Sequence, residues 1–265
     1  MSILHRIFDD KQLEVGKLRQ QLSFGLLEKQ ALSTPLPLDF KQALTDPEKP
    51  VPRLIAEVKH KSPSKGVLRD PFDPLVLAKI YEQNGASAIS VLTDQKYFGG
   101  SLQVLKDIHH LNLGLPLLRK DFIFDDYQLL EARVAGASAI LLIVAMLEQD
   151  NLTNLIKRCA ELGLTPLVEV HNERELDQAL KSGAEVIGIN NRNLHDFSVG
   201  LNISLQLAQL CPPEITLVSE SGIFIQEDIQ QLREVNIDAI LVGEALVTAD
   251  DVARQVRSFT EAGVR

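Results

Sequence analysis

The first stretch of this sequence that could carry chemistry runs from Ile55 to Gly66 and reads IAEVKHKSPSKG. Side chains alternate between the faces of a β-strand, so Glu57 and Lys59 point the same way as Ile55. A carboxylate and an ammonium on one strand face are costly to bury unless they pair or take part in chemistry. The loop that follows is cationic, although the chain has a formal net charge of −9. The segment therefore predicts an anionic ligand at a strand end, with a surface ion pair beside a solvated loop as the alternative.

Short apolar runs rich in β-forming residues recur along the chain and alternate with amphipathic helical stretches. The predicted strands lie at about 54–59, 88–92, 116–120, 139–144, 165–170, 186–190, 215–219 and 239–242. Alternation of eight strands with helices is typical of a parallel sheet, and that number favours closure into a barrel. Helical periodicity from about Ser2 to Leu22, a proline-rich linker and a short helix at about 39–44 precede the first strand. We therefore predict an α/β single domain over residues 1–265: a (β/α)8 TIM barrel at 54–265 with an N-terminal helical extension and linker at 1–53.

An internal repeat supports the barrel. The string GASAI occurs at 85–89 and 136–140, GAEVI follows at 183–187, and NIDAI at 236–240. The copies are about 50 residues apart, which is the length of two strand–helix units. Each copy begins where a helix ends, a position that favours glycine. Four double units imply eight strands, and an open doubly wound sheet would not show this fourfold repetition.

Functional residues of such barrels lie at the carboxyl ends of the strands and in the loops that follow. Five predicted strand ends carry charged or polar side chains, several on the same face as apolar residues deeper in the strand, as an inward-facing rim would. These candidates are Glu57, Lys59 and Ser62; Lys120 and Phe122; Glu169; Asn190 and Arg192; and Ser219, Glu220, Ser221 and Gly222. A single charge of this kind is usually a solvated loop residue, but repetition over five strands predicts one shared site.

Glycines after the seventh and eighth strands predict a phosphate site. Ser221 and Gly222 follow the seventh strand, and Gly243 and Glu244 follow the eighth. Phosphate groups commonly bind at these two loops of the barrel, where glycine lets backbone N–H groups approach an anion. No GxGxxG or Walker sequence is present, so nucleotide binding has little support.

Metal binding has equally little support. The six histidines lack ligand spacing, and we interpret all of them as structural or exposed: His5, His60, His109, His110, His171 and His195. Asp121, Asp125 and Asp126 are explained by helix capping. Cys159 and Cys211 are far apart and indicate neither a zinc site nor a disulfide framework. We therefore predict no metal.

Composition narrows the class of protein further. The chain has 265 residues, of which 45% are hydrophobic and 24% charged, as in ordinary globular proteins. Its acidity argues against a nucleic-acid or anionic-membrane partner. The longest apolar run, at 139–147, is too short to cross a bilayer, and the N-terminus lacks the apolar core of a signal peptide. We expect a cytoplasmic protein.

Seven segments carry a specific resemblance. In chain order they are IAEVKHKSPSKG, VLTDQKYFGGS, LLRKDFIFDDYQ, LVEVH, IGINNRNL, LVSESGI and ILVGEAL. Together they resemble the indole-3-glycerol phosphate synthases of tryptophan biosynthesis, and the similarity covers nearly the whole chain. The resemblance implies a carboxy-lyase on a (β/α)8 barrel, with a helical extension over the active-site end. It also implies a phosphorylated small-molecule substrate and no cofactor. A monomer or small homo-oligomer is expected, and association with other enzymes of the pathway is compatible with it.

The reaction of that family closes, decarboxylates and dehydrates 1-(2-carboxyphenylamino)-1-deoxyribulose 5-phosphate to indole-3-glycerol phosphate. The resemblance assigns Lys120 as general acid and Glu169 as its partner, with Glu57 and Lys59 sharing the proton transfers of dehydration. It places three polar residues on the sugar hydroxyls or the aryl carboxylate, namely Ser62, Asn190 and Arg192. An apolar wall against the aromatic ring would comprise Phe122, Leu141 and Leu194. The phosphate would be held by Ser221, Gly222, Gly243 and Glu244.

Proximity of a second lysine and partial desolvation predict a lowered pKa for Lys120, which would suit a general acid near neutrality. Two alternatives remain open at this point. Phosphoribosylanthranilate isomerase uses the same fold, but its chemistry requires a cysteine–aspartate type of pair at strand ends, and neither cysteine is predicted to lie there. A non-catalytic barrel would be expected to have lost its charged strand ends, which this sequence keeps.

Overall fold

The computed structural model describes residues 3–193 and 198–262. Eight strands form the barrel: β1 (Arg53–Val58), β4 (Ala88–Leu92), β5 (Leu117–Lys120), β6 (Ala139–Ile143), β7 (Thr165–Val170), β8 (Val186–Asn190), β9 (Thr216–Glu220) and β10 (Ala239–Val242). They pair in parallel in sequence order, and β1 closes the ring by pairing with both β4 and β10. The cationic loop after β1 forms a small antiparallel hairpin of β2 (Lys61–Ser62) and β3 (Gly66–Val67). The predicted (β/α)8 barrel is confirmed.

Helices surround the barrel and precede it. The extension contains α1 (Ile3–Gln21), α2 (Phe24–Ser33) and α3 (Phe40–Thr45). The remaining helices are α4 (Pro74–Gln83), α5 (Gln95–Phe98), α6 (Leu102–His110), α7 (Asp126–Val134), α8 (Gln149–Glu161), α9 (Glu173–Lys181), α10 (Asn202–Leu207), α11 (Gln226–Glu234), α12 (Glu244–Val247) and α13 (Val252–Thr260). Two 3₁₀ turns cover Val144–Met146 and Ala208–Leu210. Helix α2 lies in a stretch for which the sequence analysis predicted no element.

The internal repeat has a common backbone geometry. Gly85, Gly136 and Gly183 have φ angles of +92°, +88° and +83°, and Asn236 has +58°. Each ends a helix in the left-handed region, where glycine and asparagine are the best-tolerated residues. The strands that follow are β4, β6, β8 and β10, so the repeat marks the entry to every second strand, as predicted.

Helix α3 closes the amino-terminal end of the barrel. Phe40 and Leu44 are fully buried and pack with the inward-facing apolar residues of the strands. Lys41 Nζ lies 2.7 Å from the carboxylate of Glu185, a residue just before β8 begins. The helix therefore occupies the end opposite the strand termini that carry the candidate site residues.

Helix α1 covers the other end. Its Lys11 is buried, and the ammonium lies 3.0 Å from carboxylate oxygens of both Asp94 and Asp121, which follow β4 and β5. The Tyr127 hydroxyl of α7 donates to the carbonyl oxygen of Leu18 at 3.1 Å. The extension therefore reaches both ends of the barrel: α1 lies over the end that the resemblance implied, and the apolar face of α3 closes the opposite end.

Candidate active site

Four charged side chains meet inside the carboxyl end of the barrel. Lys59 Nζ lies 2.6 Å from Glu57 Oε2. Lys120 Nζ lies 3.3 Å from Glu57 Oε1 and 3.3 Å from Glu220 Oε2. The two carboxylates are almost fully buried, whereas each lysine side chain keeps 18% of its surface exposed. Side chains at the ends of β1, β5 and β9 thus converge. The alternation of strand faces predicted this inward direction for the residues of β1 and β5.

The pKa of Lys120 is raised, not lowered as the sequence analysis expected. Burial by itself would lower it, but attraction to the carboxylates of Glu57, Glu220 and Glu169 outweighs the loss of hydration. Both lysines contact the same carboxylate, so the repulsion assumed between Lys59 and Lys120 is screened by Glu57. Lys120 is therefore an ammonium across the neutral range.

The two carboxyls that contact Lys120 differ in their protonation. Burial opposes ionisation of Glu57, yet the flanking Lys59 and Lys120 lower its pKa to about 2. Glu220 has one ammonium neighbour and also faces Glu169 and Glu57, so burial raises its pKa to about 7. Two carboxyls with separated pKa values are typical of a site that moves protons. Glu220 can give or accept a proton near neutrality.

Glu169 lies at the end of β7 beside His171. Its Oε1 is 3.3 Å from His171 Nε2, and Asn190 lies at the end of the neighbouring strand β8. Burial would raise the pKa of Glu169, but His171, Lys120 and Asn190 together lower it. Glu169 is therefore an ionised carboxylate at neutral pH.

Two glycines provide the space that the buried carboxylates of Glu57 and Glu220 occupy. A Cβ atom at Gly188 of β8 would overlap the carboxylate of Glu220 on the neighbouring β9. A Cβ at Gly243, directly after β10, would overlap the carboxylate of Glu57 on the neighbouring β1. Gly243 was predicted to bind phosphate, and the structure gives it this second, steric role.

A cavity of about 160 Å³ opens above the charged cluster. Most predicted site residues line it: Glu57, Lys59, Ser62, Lys120, Phe122, Leu141, Glu169, Asn190, Arg192, Ser221 and Glu244. Gly222 and Gly243 adjoin the lining residues in the chain without lining the cavity themselves. Leu194 lies outside the described residues. The polar and apolar walls that the sequence analysis expected thus face one space.

Helix α1 supplies part of the cavity wall through Ile3, Leu4 and Ile7, which the sequence analysis did not assign. The helical periodicity of the N-terminus indicated an apolar face but not its partner. Asp121 also lines the cavity and was interpreted as a helix cap. Instead it accepts from Thr93 Oγ1 at 2.6 Å and pairs with Lys11 and Arg119. Among the three predicted caps, only Asp125 caps a helix, because its side chain accepts the backbone N–H of Tyr127, while Asp126 is the first residue of α7.

The predicted phosphate end of the cavity has an unusual backbone. Ser221 and Gly222 both have left-handed φ angles, +66° and +78°. Asn191 holds this turn, because its Nδ2 donates to Ser219 Oγ at 2.9 Å and to the carbonyl oxygen of Ser221 at 3.1 Å. Glu244 opens α12, and its carboxylate accepts a hydrogen bond from Lys65 of the hairpin loop. The loops after β9 and β10 therefore meet the β2–β3 hairpin at one rim.

Other chemistries have no comparable cluster in the described part of the chain. Among residues 3–193 and 198–262, no three His, Cys, Asp or Glu side chains are grouped closely enough to hold a metal ion. No helix in these ranges has the length and apolarity needed to cross a membrane. Cys159 is buried in α8, and Cys211 follows a 3₁₀ turn, so neither lies at a strand end. This placement opposes the cysteine-dependent isomerase considered above.

Comparisons with known proteins agree with this geometry. The family model for indole-3-glycerol phosphate synthase matches residues 4–259. The indole-3-glycerol phosphate synthase of Roseiflexus sp. (strain RS-1) is 50% identical over 265 residues, covering 97% of this chain and 98% of the relative. That of Dehalococcoides mccartyi (strain CBDB1) is 48% identical over 260 residues, covering 97% and 99%.

Solved structures of lower identity share the fold. A 3-hexulose-6-phosphate synthase has a TM-score of 0.63 at 14% identity, covering 79% of this chain and 99% of that chain. A thiamine phosphate pyrophosphorylase from Pyrococcus furiosus has a TM-score of 0.59 at 16% identity, covering 80% and 95%. The family itself is shown by the model match and by the identity over nearly the whole chain. This chain belongs to the indole-3-glycerol phosphate synthase family.

Proposed function

We propose that this chain converts 1-(2-carboxyphenylamino)-1-deoxyribulose 5-phosphate to indole-3-glycerol phosphate, with release of carbon dioxide and water, as a carboxy-lyase of tryptophan biosynthesis. One observation supports it above the others. Two ammonium groups and three carboxyls, from Lys59, Lys120, Glu57, Glu169 and Glu220, converge below a cavity with one apolar and one polar wall.

Ring closure requires a proton for the ribulose carbonyl oxygen as the aromatic carbon attacks the carbonyl carbon. Lys120 is the general acid of this step. Its raised pKa is compatible with the role, because the oxygen gains the electron pair of the broken π bond and becomes strongly basic. An ammonium held by Glu57 and Glu220 is also positioned to stabilise the charge that develops there.

Attack by the ring carbon leaves a cationic iminium next to the carboxyl group. The Glu169 carboxylate stabilises this cation until carbon dioxide leaves and the C–C bonding pair restores the ring electrons. Dehydration then completes the indole. The hydroxyl on the former carbonyl carbon is protonated and leaves as water, and the adjacent ring carbon, which is bonded to nitrogen, loses a proton. Lys59 and Glu57 share these transfers, and Glu220, with its pKa of about 7, supplies or takes up a proton near neutral pH.

The remaining residues bind the substrate. Phe122 and Leu141 form the apolar wall against the aromatic ring. Ser62, Asn190 and Arg192 face the sugar hydroxyls or the aryl carboxylate. The phosphate lies at the rim formed by the loops after β9 and β10, where Ser221, Gly222, Gly243 and Glu244 contribute mainly backbone groups. Leu194 would extend the apolar wall.

We further propose that the 54–265 barrel and the 1–53 extension act as one domain, because α1 lines the cavity and α3 closes the floor. A cytoplasmic monomer or small homo-oligomer, free to associate with other enzymes of the pathway, is the setting expected of this biosynthetic step.

The test is incubation of the purified chain with the carboxyphenylamino-deoxyribulose phosphate while indole fluorescence is recorded. The expected result is formation of indole-3-glycerol phosphate with one equivalent of carbon dioxide. Lys120→Met serves as the inactive control. A wild-type chain that forms neither product would refute the proposed function. Turnover by Lys120→Met at the wild-type rate would refute the assignment of Lys120 as the general acid.

A further inference from the structure

A row of three ionisable side chains runs from the cavity wall into the β7–α9 loop. His171 Nε2 lies 3.3 Å from Glu169 Oε1, and His171 Nδ1 lies 2.9 Å from Glu175 Oε2. Glu169 lines the cavity and His171 does not. The imidazole is therefore placed behind the carboxylate, between it and a second carboxylate on helix α9.

The outer carboxylate is fixed in place. Glu175 Oε2 accepts the backbone N–H of His171 at 2.8 Å, and its Oε1 accepts from Asn172 Nδ2 at 2.8 Å. The side chain of Asn172 in turn caps α9 by accepting from the backbone N–H of Glu175 at 3.0 Å. This bonding holds Glu175 Oε2 against Nδ1, so that Nδ1 carries a hydrogen. Nε2, on the other side of the ring, is buried, has no hydrogen-bond partner among the described residues and lies 3.3 Å from Glu169 Oε1.

Both ring nitrogens thus lie close to carboxylate oxygens, and an ionised carboxylate accepts hydrogen bonds but donates none. A neutral imidazole with its hydrogen on Nδ1 would turn a lone pair towards Glu169 Oε1. That contact is repulsive unless Glu169 itself holds the proton. One proton is therefore shared by this pair: it is either on Nε2 or on Glu169. An ionised Glu169 requires a charged His171.

The surrounding charges favour the ion pair. Burial opposes the charge on His171, but Glu169 and Glu175 raise its pKa to about 10. On the cavity side Glu169 faces Lys120, which favours its ionised form, and Glu220, which opposes it. Glu57 lies beyond, paired with Lys59 and Lys120. The cation behind Glu169 offsets the neighbouring carboxyls.

We propose that His171 is a positioning residue, held by Glu175, that keeps Glu169 ionised and aimed into the cavity during turnover. The inference rests on the proposed function, because it presumes that Glu169 works as a carboxylate on a cationic intermediate.

Substitutions at both ends of the row test the role. His171→Gln keeps a neutral donor and removes the charge, and His171→Leu removes both. An opposite charge at this distance lowers a carboxyl pKa by about 1–3 units, so the acid limb of the kcat–pH profile should move up by about that much in both variants. We expect kcat at pH 7 to fall about tenfold or more, the lower part of the range for a positioned acid–base group, with KM within about twofold.

Glu175→Gln should move the same limb in the same direction by less, because His171 then loses one of its two anionic neighbours. Glu173→Gln is the matched control: it makes the same change on the exposed first turn of α9 and should leave the profile unaltered. A fall in kcat without movement of the limb would indicate a merely structural histidine and overturn the proposal. An unaltered kcat and limb in His171→Gln would overturn it as well.

A measurement without turnover separates this inference from the proposed function. Nitrogen-15 NMR of the imidazoles, with the His171 signal identified by its loss in His171→Gln, should show a protonated ring at pH 8. In Glu169→Gln the same ring should titrate at a lower pH. A wild-type His171 that titrates near 6.5 would overturn the inference even if the enzyme is active. A chain without synthase activity but with the protonated ring would instead refute only the proposed function.

Discussion

Replacing Glu220 by glutamine should remove a loss of stability that the wild-type protein undergoes as the pH rises from 5 to 8, and should impair its reaction. The carboxyl of Glu220 is fully buried, and its pKa is raised to about 7 from an ordinary value of 4.5. A carboxyl with a raised folded-state pKa stabilises the fold below its unfolded-state pKa. That contribution is lost as the pH rises through the folded-state value, because the unfolded chain ionises more easily.

The size of the effect follows from the two pKa values. A tenfold change in an ionisation equilibrium corresponds to about 1.4 kcal/mol, so ionised Glu220 destabilises the fold by about 3 kcal/mol at pH 8 and about 1 kcal/mol at pH 5. Glutamine does not ionise, so the stability of Glu220→Gln relative to wild type should rise by about 2–3 kcal/mol between these pH values. Loss of the contact with Lys120 lowers the variant's stability at both, and Glu57 still pairs with that lysine.

Urea unfolding of both proteins at pH 5, 6, 7 and 8 measures the difference. For a chain of this length, about 2–3 kcal/mol corresponds to a relative shift in Tm of about 4–12 °C, so thermal scans provide a second reading. Glu214→Gln, on an exposed loop residue, should run parallel to wild type. Parallel curves for Glu220→Gln and wild type over the same range would refute the reasoning, because they would show that Glu220 has an ordinary pKa in the fold.

Three further predictions concern the general acid Lys120, helix α3 at the closed end of the barrel, and helix α1 over the cavity. Lys120→Met should lower kcat more than about a hundredfold with an unchanged circular dichroism spectrum; substantial turnover would contradict its role as general acid. Phe40→Ala should reduce the free energy of unfolding by about 3–5 kcal/mol with KM unchanged, because α3 lies at the end away from the site; a raised KM would contradict this separation. Lys11→Met leaves Asp94 and Asp121 without their shared cation and should cost about 3 kcal/mol in urea unfolding; an unaltered midpoint would show that the buried ion network does not hold α1.

The fold was predictable because the repeated strand–helix units of the barrel produce a repeated pattern in the sequence. Buried strands need apolar runs, and the turn before every second strand needs a left-handed residue, so Gly85, Gly136 and Gly183 mark the units. Helix α2 and the destination of α3 were not predictable in this way. An amphipathic helix shows that it packs, but its partner depends on contacts far along the chain, such as that of Phe40 with the barrel interior.

The candidate site was predictable in its location and less so in its electrostatics. Alternation of strand faces brought Glu57, Lys120 and Glu169 together, and the structure places all three at one cavity. Glu220 was noted at its strand end without a role, although it shares the inward face of Val218. The direction of the Lys120 pKa shift was wrong, because a linear sequence shows neighbouring charges along one strand but not the carboxylates that approach from other strands.

The gaps at Gly188 and Gly243 bear on any attempt to transplant this chemistry. In each case the space for an acid comes from the adjacent strand or its immediate end, so the charged residue and its vacancy are specified in separate parts of the chain. Grafting the lysines and glutamates alone onto another barrel would leave methyl groups where the carboxylates must lie. The set of residues to be transplanted must therefore include Gly188 and Gly243, whose contribution is that they have no side chain.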